Sequence, residues 1–224
     1  MNISTRFLLA CFTLLVVSAH AQTTDSIPSV SQTTPIPIEA FVSDKGLLTQ
    51  LVVSKKLEPQ SKFGIFALTE YYGDFKNEAN KNQFMAQTYL TYNVYKGLSV
   101  VGGAIITHQT GFRPSAGLQY VFMKNDFFVM LQPRMDLSET HNLEAFGFIE
   151  YTPKLTEKLG IYSRLQMMYN HNEKFNLHEV SYTRVRLGVS YKTYQMGLGA
   201  NFASYGPDKV KEDSYGVFVR ALLF

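Results

Sequence analysis

Side-chain polarity in this chain switches at every second residue, in one segment after another, from Ile36 to the C-terminus. A period of two is the strand period, and apolar residues do not recur at the three-and-four spacing that a helix needs. Phe84 to Val94 is the clearest case. Phe84, Ala86, Leu90, Tyr92 and Val94 fall on one face, and Gln87, Thr91 and Asn93 on the other. Ile161, Leu165, Met167 and Tyr169 oppose Tyr162, Arg164, Gln166 and Asn170 in the same way. Val185, Leu187, Val189 and Tyr191 oppose Tyr182, Arg184, Arg186 and Ser190.

The pattern predicts strands over 36–43, 47–56, 62–74, 84–95, 98–108, 115–123, 126–136, 142–152, 159–170, 179–191, 195–205 and 214–224. Lys96-Gly97 and Lys124-Asn125 read as tight hairpin turns. Lys76–Asn82, Gln109–Pro114, Leu137–His141, His171–His178 and Gly206–Asp213 read as longer polar loops. Short turns alternating with long loops are the rhythm of an outer-membrane barrel.

A soluble β-sandwich or lipocalin-like barrel also alternates. Three features favour the membrane. Ten residues at about 3.3 Å, tilted about 40°, cover roughly the 25 Å apolar band of a membrane barrel. One face of the strands is rich in Phe, Tyr and Leu while the other holds Arg, Gln and Asn. Tyrosines gather near strand ends (Tyr71, Tyr72, Tyr92, Tyr95, Tyr151, Tyr169, Tyr191 and Tyr205), where an interfacial girdle belongs.

Composition removes other classes. The net charge of +3 comes from 21 basic and 18 acidic residues without a basic field, so nucleic-acid binding is unsupported. One cysteine excludes an intrachain disulfide and a cysteine-rich zinc site. Residues 1–21 read as a secretory signal peptide: Arg6 is the positive n-region, Phe7–Ala19 the apolar core and Ala19-His20-Ala21 the cleavage pattern. Cys11 loosely fits a lipoprotein box but would strand an apolar run behind the cut. Residues 22–35, rich in Ser, Thr and Pro, read as a flexible periplasmic leader, and residues 36–224 as the barrel.

The signal peptide, the succession of strands and the final strand Tyr215–Phe224 together resemble small bacterial outer-membrane β-barrel proteins over nearly the whole length. The resemblance implies an all-β, transmembrane, antiparallel up-and-down barrel in the outer membrane of a Gram-negative bacterium. It also implies outer-membrane lipids as surroundings and a C-terminal aromatic, here Phe224, read by the barrel-assembly machinery. It implies no activity. By parity Phe224 shares the face of Arg220, so the last strand is expected to kink or end before it. With both termini periplasmic the strand count is even. Twelve is favoured, with ten as the alternative if 36–43 and 47–56 lie in the lumen or periplasm.

Parity collects Arg134, Asp136, Glu144, Glu150, Arg164, Arg184, Arg186 and Arg220 on the lumen face, with Gln87, Asn93, Gln119, Gln132 and Gln166. Hairpin geometry places Asp136 near Glu144, with Arg134 one diagonal away, and Arg164 near Arg184. Two readings follow. A charged lining selects permeants, arginines favouring anions, or mutual salt bridges plug the barrel. Phe146 and Phe148 share the parity of Glu144 and Glu150, which suggests packing.

His108, His141, His171 and His178 fall at outer strand ends or loops. Ser138, Glu139 and His141 are close in sequence, and Asp136 with Glu144 could form a coupled acid pair, so a surface hydrolase or acyltransferase is an alternative. No motif of such enzymes is present, and the expectation is a non-enzyme without metal or cofactor. Gly102-Gly103 and Gly197-x-Gly199 lie within strands and lack the following helix of a nucleotide loop. A small channel or a structural barrel is the functional expectation. Permeant and oligomeric state stay open.

Overall fold

The computed structural model describes residues 34–78 and 81–224; the expected signal peptide and most of the leader lie outside them. The strands are β1 (Ile36–Ser43), β2 (Gly46–Lys56), β3 (Phe63–Asp74), β4 (Gln83–Tyr95), β5 (Leu98–Thr107) and β6 (Gly111–Lys124). They continue as β7 (Phe127–Asp136), β8 (Leu143–Tyr151), β9 (Leu159–Asn172), β10 (Leu177–Tyr191), β11 (Tyr194–Tyr205) and β12 (Val210–Leu223). Each pairs with its sequence neighbours, and β1 pairs with β12 to close the barrel. The closing seam runs antiparallel from Ile36 opposite Leu223 to Ser43 opposite Gly216. β1 is therefore a full wall strand, despite its length of eight residues, and the count is twelve rather than ten.

Closure satisfies the backbone without an edge, which hydrocarbon demands. Burial alternates along β2, β3 and much of β9. In β11, Met196 and Leu198 are exposed while Gln195 is buried; in β9, Ile161, Leu165 and Met167 are exposed while Tyr162, Arg164 and Gln166 are buried. Leu198 is 69% exposed and Gln132, on the opposite face of its own strand, 0%. A wall that shows Leu, Val and Phe outward is matched to lipid rather than water.

Strands extend further than alternation alone predicts. β6 begins at Gly111, inside the expected loop, β12 begins at Val210, and only residues 173–176 separate β9 from β10. Polar residues here still pair in the ladder, because pairing needs backbone and not apolar side chains. The tight turn expected at Lys124-Asn125 is Asn125-Asp126. The short–long rhythm is also weaker than expected. The connections 57–62 and 152–158 lie at the end that holds the chain termini, and they match the opposite loops in length. Pro59 and Pro153 within them cannot donate to a ladder.

The aromatic girdle is partly as expected. Tyr71, Tyr92, Tyr95, Tyr151 and Tyr191 are exposed on the outer wall, and Phe127 stacks on Tyr151 with centroids 4.3 Å apart. Tyr72 and Tyr205 turn inward instead. Tyr72 packs on a buried cluster of Phe41, Leu48, Tyr162 and Phe218. The Tyr205 hydroxyl reaches Gln83 of β4, 3.5 Å away. β12 ends at Leu223, and Phe224 lies beyond it, 73% exposed.

The inward face is not uniformly polar. Val52, Phe66, Leu68, Tyr89, Val101, Met130, Phe146 and Phe148 form a buried apolar cluster contributed by strands β2 to β8. Phe146 and Phe148 are packing residues, as their parity suggests. Buried polar residues stand on every strand from β1 to β12, among them Glu39, Glu70, Arg134, Arg164 and Arg220.

Candidate functional site

All six arginines among the described residues are inside the barrel, and every lysine sits in a loop or near a strand end. Guanidinium keeps its charge and offers several fixed donors, so it suits a buried ion pair better than the strongly hydrated ammonium of lysine. The arginines form two groups.

The larger group centres on Glu39 of β1. Its carboxylate takes Arg186 Nε at 2.9 Å on one oxygen and Arg164 Nη1 at 3.4 Å on the other. Arg164 and Arg186 are directly opposite each other in the β9–β10 ladder. Like charges in that position repel, and the carboxylate between them removes the repulsion. β1 and β9 are not neighbours, so the contact must cross the interior. A second crossing joins β10 to β3, where Arg184 holds Glu70 with both terminal nitrogens, at 2.6 and 3.0 Å. Gln50 and Gln166 link the crossings: Arg164 donates to both amide oxygens and the Gln50 amide donates to Glu70. Arg220 completes the group, with Glu150 at 2.9 Å, Tyr162 at 2.6 Å and Gln195 at 2.8 Å.

Aromatic faces hold four guanidiniums in place. Arg186 lies 4.0 Å from the Phe41 ring centroid, Arg184 4.0 Å from Tyr182, Arg220 5.0 Å from Tyr162 and Arg164 5.1 Å from Phe148. Gly199 makes the first of these possible, because a Cβ there would come within 2.8 Å of Phe41 and 2.9 Å of Arg186. The crevice among Glu39, Gln50, Arg164, Gln166, Arg184 and Arg186 has no room for a water molecule.

The smaller group lies toward the end away from the termini. Arg134 sits between Asp136 at 2.6 Å and Glu144 at 2.7 Å, and Arg113 adds a 2.7 Å contact to Asp136. Asn170 donates to Glu144 and receives a bond from Asn142.

Every residue assigned to the lumen face from parity is buried or half-buried: Arg134, Asp136, Glu144, Glu150, Arg164, Arg184, Arg186 and Arg220. Their neighbours differ from expectation. Glu144 pairs in register with Arg134, not Asp136. Arg164 faces Arg186, not Arg184: the hairpin sets Leu177 opposite Asn172, and a bulge between His178 and Val180 then shifts the ladder by one further residue. Asp136 and Glu144 each face the arginine between them, so they are two halves of an ion-pair chain and not an acid pair. Glu39, Glu70 and Arg113 were missed. Glu39 is the one charge in β1, and Glu70 and Arg113 each share a strand with one terminal charge; parity would have placed Glu39 and Glu70 inside, whereas Arg113 fell in an expected loop.

The histidines do not gather. His141 is in the β7–β8 loop with φ of 45°, and His108 is in the β5–β6 loop. His171 and His178 are opposite each other on the β9–β10 hairpin. Ser138 bonds Thr140, Glu139 bonds Lys174, and the His141 backbone N–H donates to the Ser138 carbonyl at 3.1 Å, so Ser138 and His141 meet through the turn backbone rather than through their side chains.

No protein-family model matches the sequence, and no curated protein matches it. Solved structures do match. A NanC porin is 12% identical with a TM-score of 0.53, over 84% of this chain and 100% of that one. A KdgM porin is 15% identical, TM-score 0.46, over 84% and 98%. LpxR from Salmonella typhimurium is 9% identical, TM-score 0.44, over 85% and 100%. The chain has the fold of the bacterial outer-membrane β-barrels.

Proposed function

We propose that this protein resides in the outer membrane as a narrow barrel, closed at mid-height, and that the arginine–carboxylate network is its gate. The observation that carries this reading is the pair of crossings, Glu39 to Arg164 and Arg186, and Glu70 to Arg184, with no water-wide gap among them. Twelve strands enclose more space than the eight whose interior side chains just fill. Here the excess is taken up by the apolar cluster and the two arginine groups. Arg134, Asp136, Glu144, Glu150, Arg164, Arg184, Arg186 and Arg220 line the path. Their immediate set holds six arginines, counting Arg113, against five carboxylates, counting Glu39 and Glu70, so a passing ion is an anion. Delivery to the membrane begins with the signal peptide, and the final strand, with Phe224 just beyond it, is presented to the assembly machinery.

The test is conductance of the refolded full chain in planar bilayers. The wild type is expected to be silent for long periods, with brief, small, anion-preferring openings. Glu39→Ala and Glu70→Ala are each expected to raise the open fraction several-fold. A steady current in the wild type that neither substitution alters would overturn the gate, and a cation preference would overturn the assigned selectivity.

A further inference from the structure

The outer wall carries a serine–histidine pair that the gate does not use. His178 and Ser181 stand three residues apart on β10, on either side of the bulge. His178 Nδ1 is 2.7 Å from the Gly206 carbonyl oxygen, and His178 Nε2 is 3.0 Å from Ser181 Oγ. A carbonyl can only accept, so Nδ1 carries the proton and donates it. In the neutral imidazole Nε2 is then an acceptor, and the Ser181 hydroxyl donates to it. This is the arrangement of an activated nucleophile: a hydroxyl on a base whose far nitrogen is fixed by a third group. The third group is a backbone carbonyl at the β11–β12 turn.

The bulge creates the pair. In a regular strand, residues three apart point to opposite faces. The extra residue between His178 and Val180 turns His178 to the face of Ser181. That face is the outward one. Ser181 is opposite Tyr169 of β9, which continues the exposed row of Leu165 and Met167. The Tyr169 ring lies 5.5 Å from that of His178 and 6.5 Å from that of His171. His178 is 6% exposed and so held in place, while Ser181 is half-buried and reachable. Two positions below, Thr183 is opposite Phe202, which packs edge-on against Tyr215. Such aromatics mark the headgroup level of a membrane, where the ester bonds of lipids lie.

We propose that Ser181 and His178 form an acyl-ester hydrolase site on the lipid-facing wall, acting on esters of membrane lipids. Ser181 Oγ attacks the ester carbonyl carbon as His178 Nε2 takes the hydroxyl proton. The C–O bond to the alcohol breaks, and His178 returns the proton to the leaving oxygen, releasing the alcohol. Water then attacks the acyl-serine, giving one proton to His178. The Ser181 C–O bond breaks, the serine recovers its proton from His178, and the fatty acid leaves.

The test treats the refolded full chain in detergent micelles with a fluorescent fluorophosphonate, which labels nucleophilic serines, and maps the label by mass spectrometry. Only protein migrating as the compact, heat-modifiable barrel is scored. Label on Ser181 is expected, lost in Ser181→Ala and slowed at least 100-fold in both His178→Ala and His178→Gln. Ser204→Ala, opposite Ser181 on β11, is expected to label at the wild-type rate. Release of fatty acid from phosphatidylethanolamine vesicles should follow the same order. A compact wild-type barrel that takes no label, takes it on another serine, or labels equally fast without His178 overturns the site. Conductance is unaffected by these wall variants, so the fate of the gate is decided separately. Two substitutions of His178 are included so that one unstable variant leaves the comparison intact.

Discussion

Arg184 of β10 grips Glu70 of β3 across the interior with two nitrogens of one guanidinium, although the two residues are 114 positions apart in sequence. The pair crosses the barrel and is desolvated, so breaking it strands a charge where water cannot follow.

Arg184→Met alone is accordingly expected to destabilise the barrel by about 3–5 kcal/mol. Adding Glu70→Leu removes the stranded carboxylate and should recover most of that loss. Urea unfolding in lipid vesicles, read by the gel shift of the folded barrel, measures both. Additive losses in the double variant would mean that the two groups do not depend on each other.

Gly199 is the floor on which Phe41 and Arg186 stack. Gly199→Val is expected to cost about 1–3 kcal/mol, the usual cost of overpacking. A Cβ at Gly102 meets nothing within 4 Å, so Gly102→Ala should change stability by no more than about 0.5 kcal/mol. Equal effects at the two glycines would show that strand propensity, rather than the Phe41–Arg186 stack, sets the requirement.

Arg186→Lys keeps the charge but loses the planar group that lies on Phe41 and also reaches Asn201 Oδ1 at 2.9 Å. A loss of about 1–2 kcal/mol is expected from the missing stack and charge-assisted bonds, measured by the same unfolding assay. A lysine variant as stable as the wild type would reduce Arg186 to a point charge.

Leu198 stands mid-strand on the outer wall. Leu198→Arg is expected to destabilise the barrel by about 2–4 kcal/mol in lipid, as a charge near the bilayer midplane does. A neutral result would place that face in water.

The sorting of sides was legible in the sequence because each strand residue faces one of only two surroundings, and Arg134, Arg164, Arg186 and Arg220 are all buried. Partnership across the interior was not. Glu39 meets Arg164 at a separation of 125 residues, and alternation says which face a residue joins but not what stands opposite it through the bore. Register was lost by small steps. The β7–β8 loop closes so that Arg134, not Asp136, meets Glu144, and one extra residue near His178 moves every later pairing of β10. The same extra residue hid the contact between His178 and Ser181, which regular alternation forbids.

The seam between β1 and β12 has a further consequence for how the chain reaches this form. Every other joint is a hairpin between neighbours, zipped over a short loop, whereas Ile36 must find Leu223 at nearly the full contour of the chain. The entropy of ring closure grows with the logarithm of the length spanned, so this joint is the costliest to form and the slowest to appear. Fraying should start there as well, at Val210–Ser214, which pair with β11 but have no partner in β1.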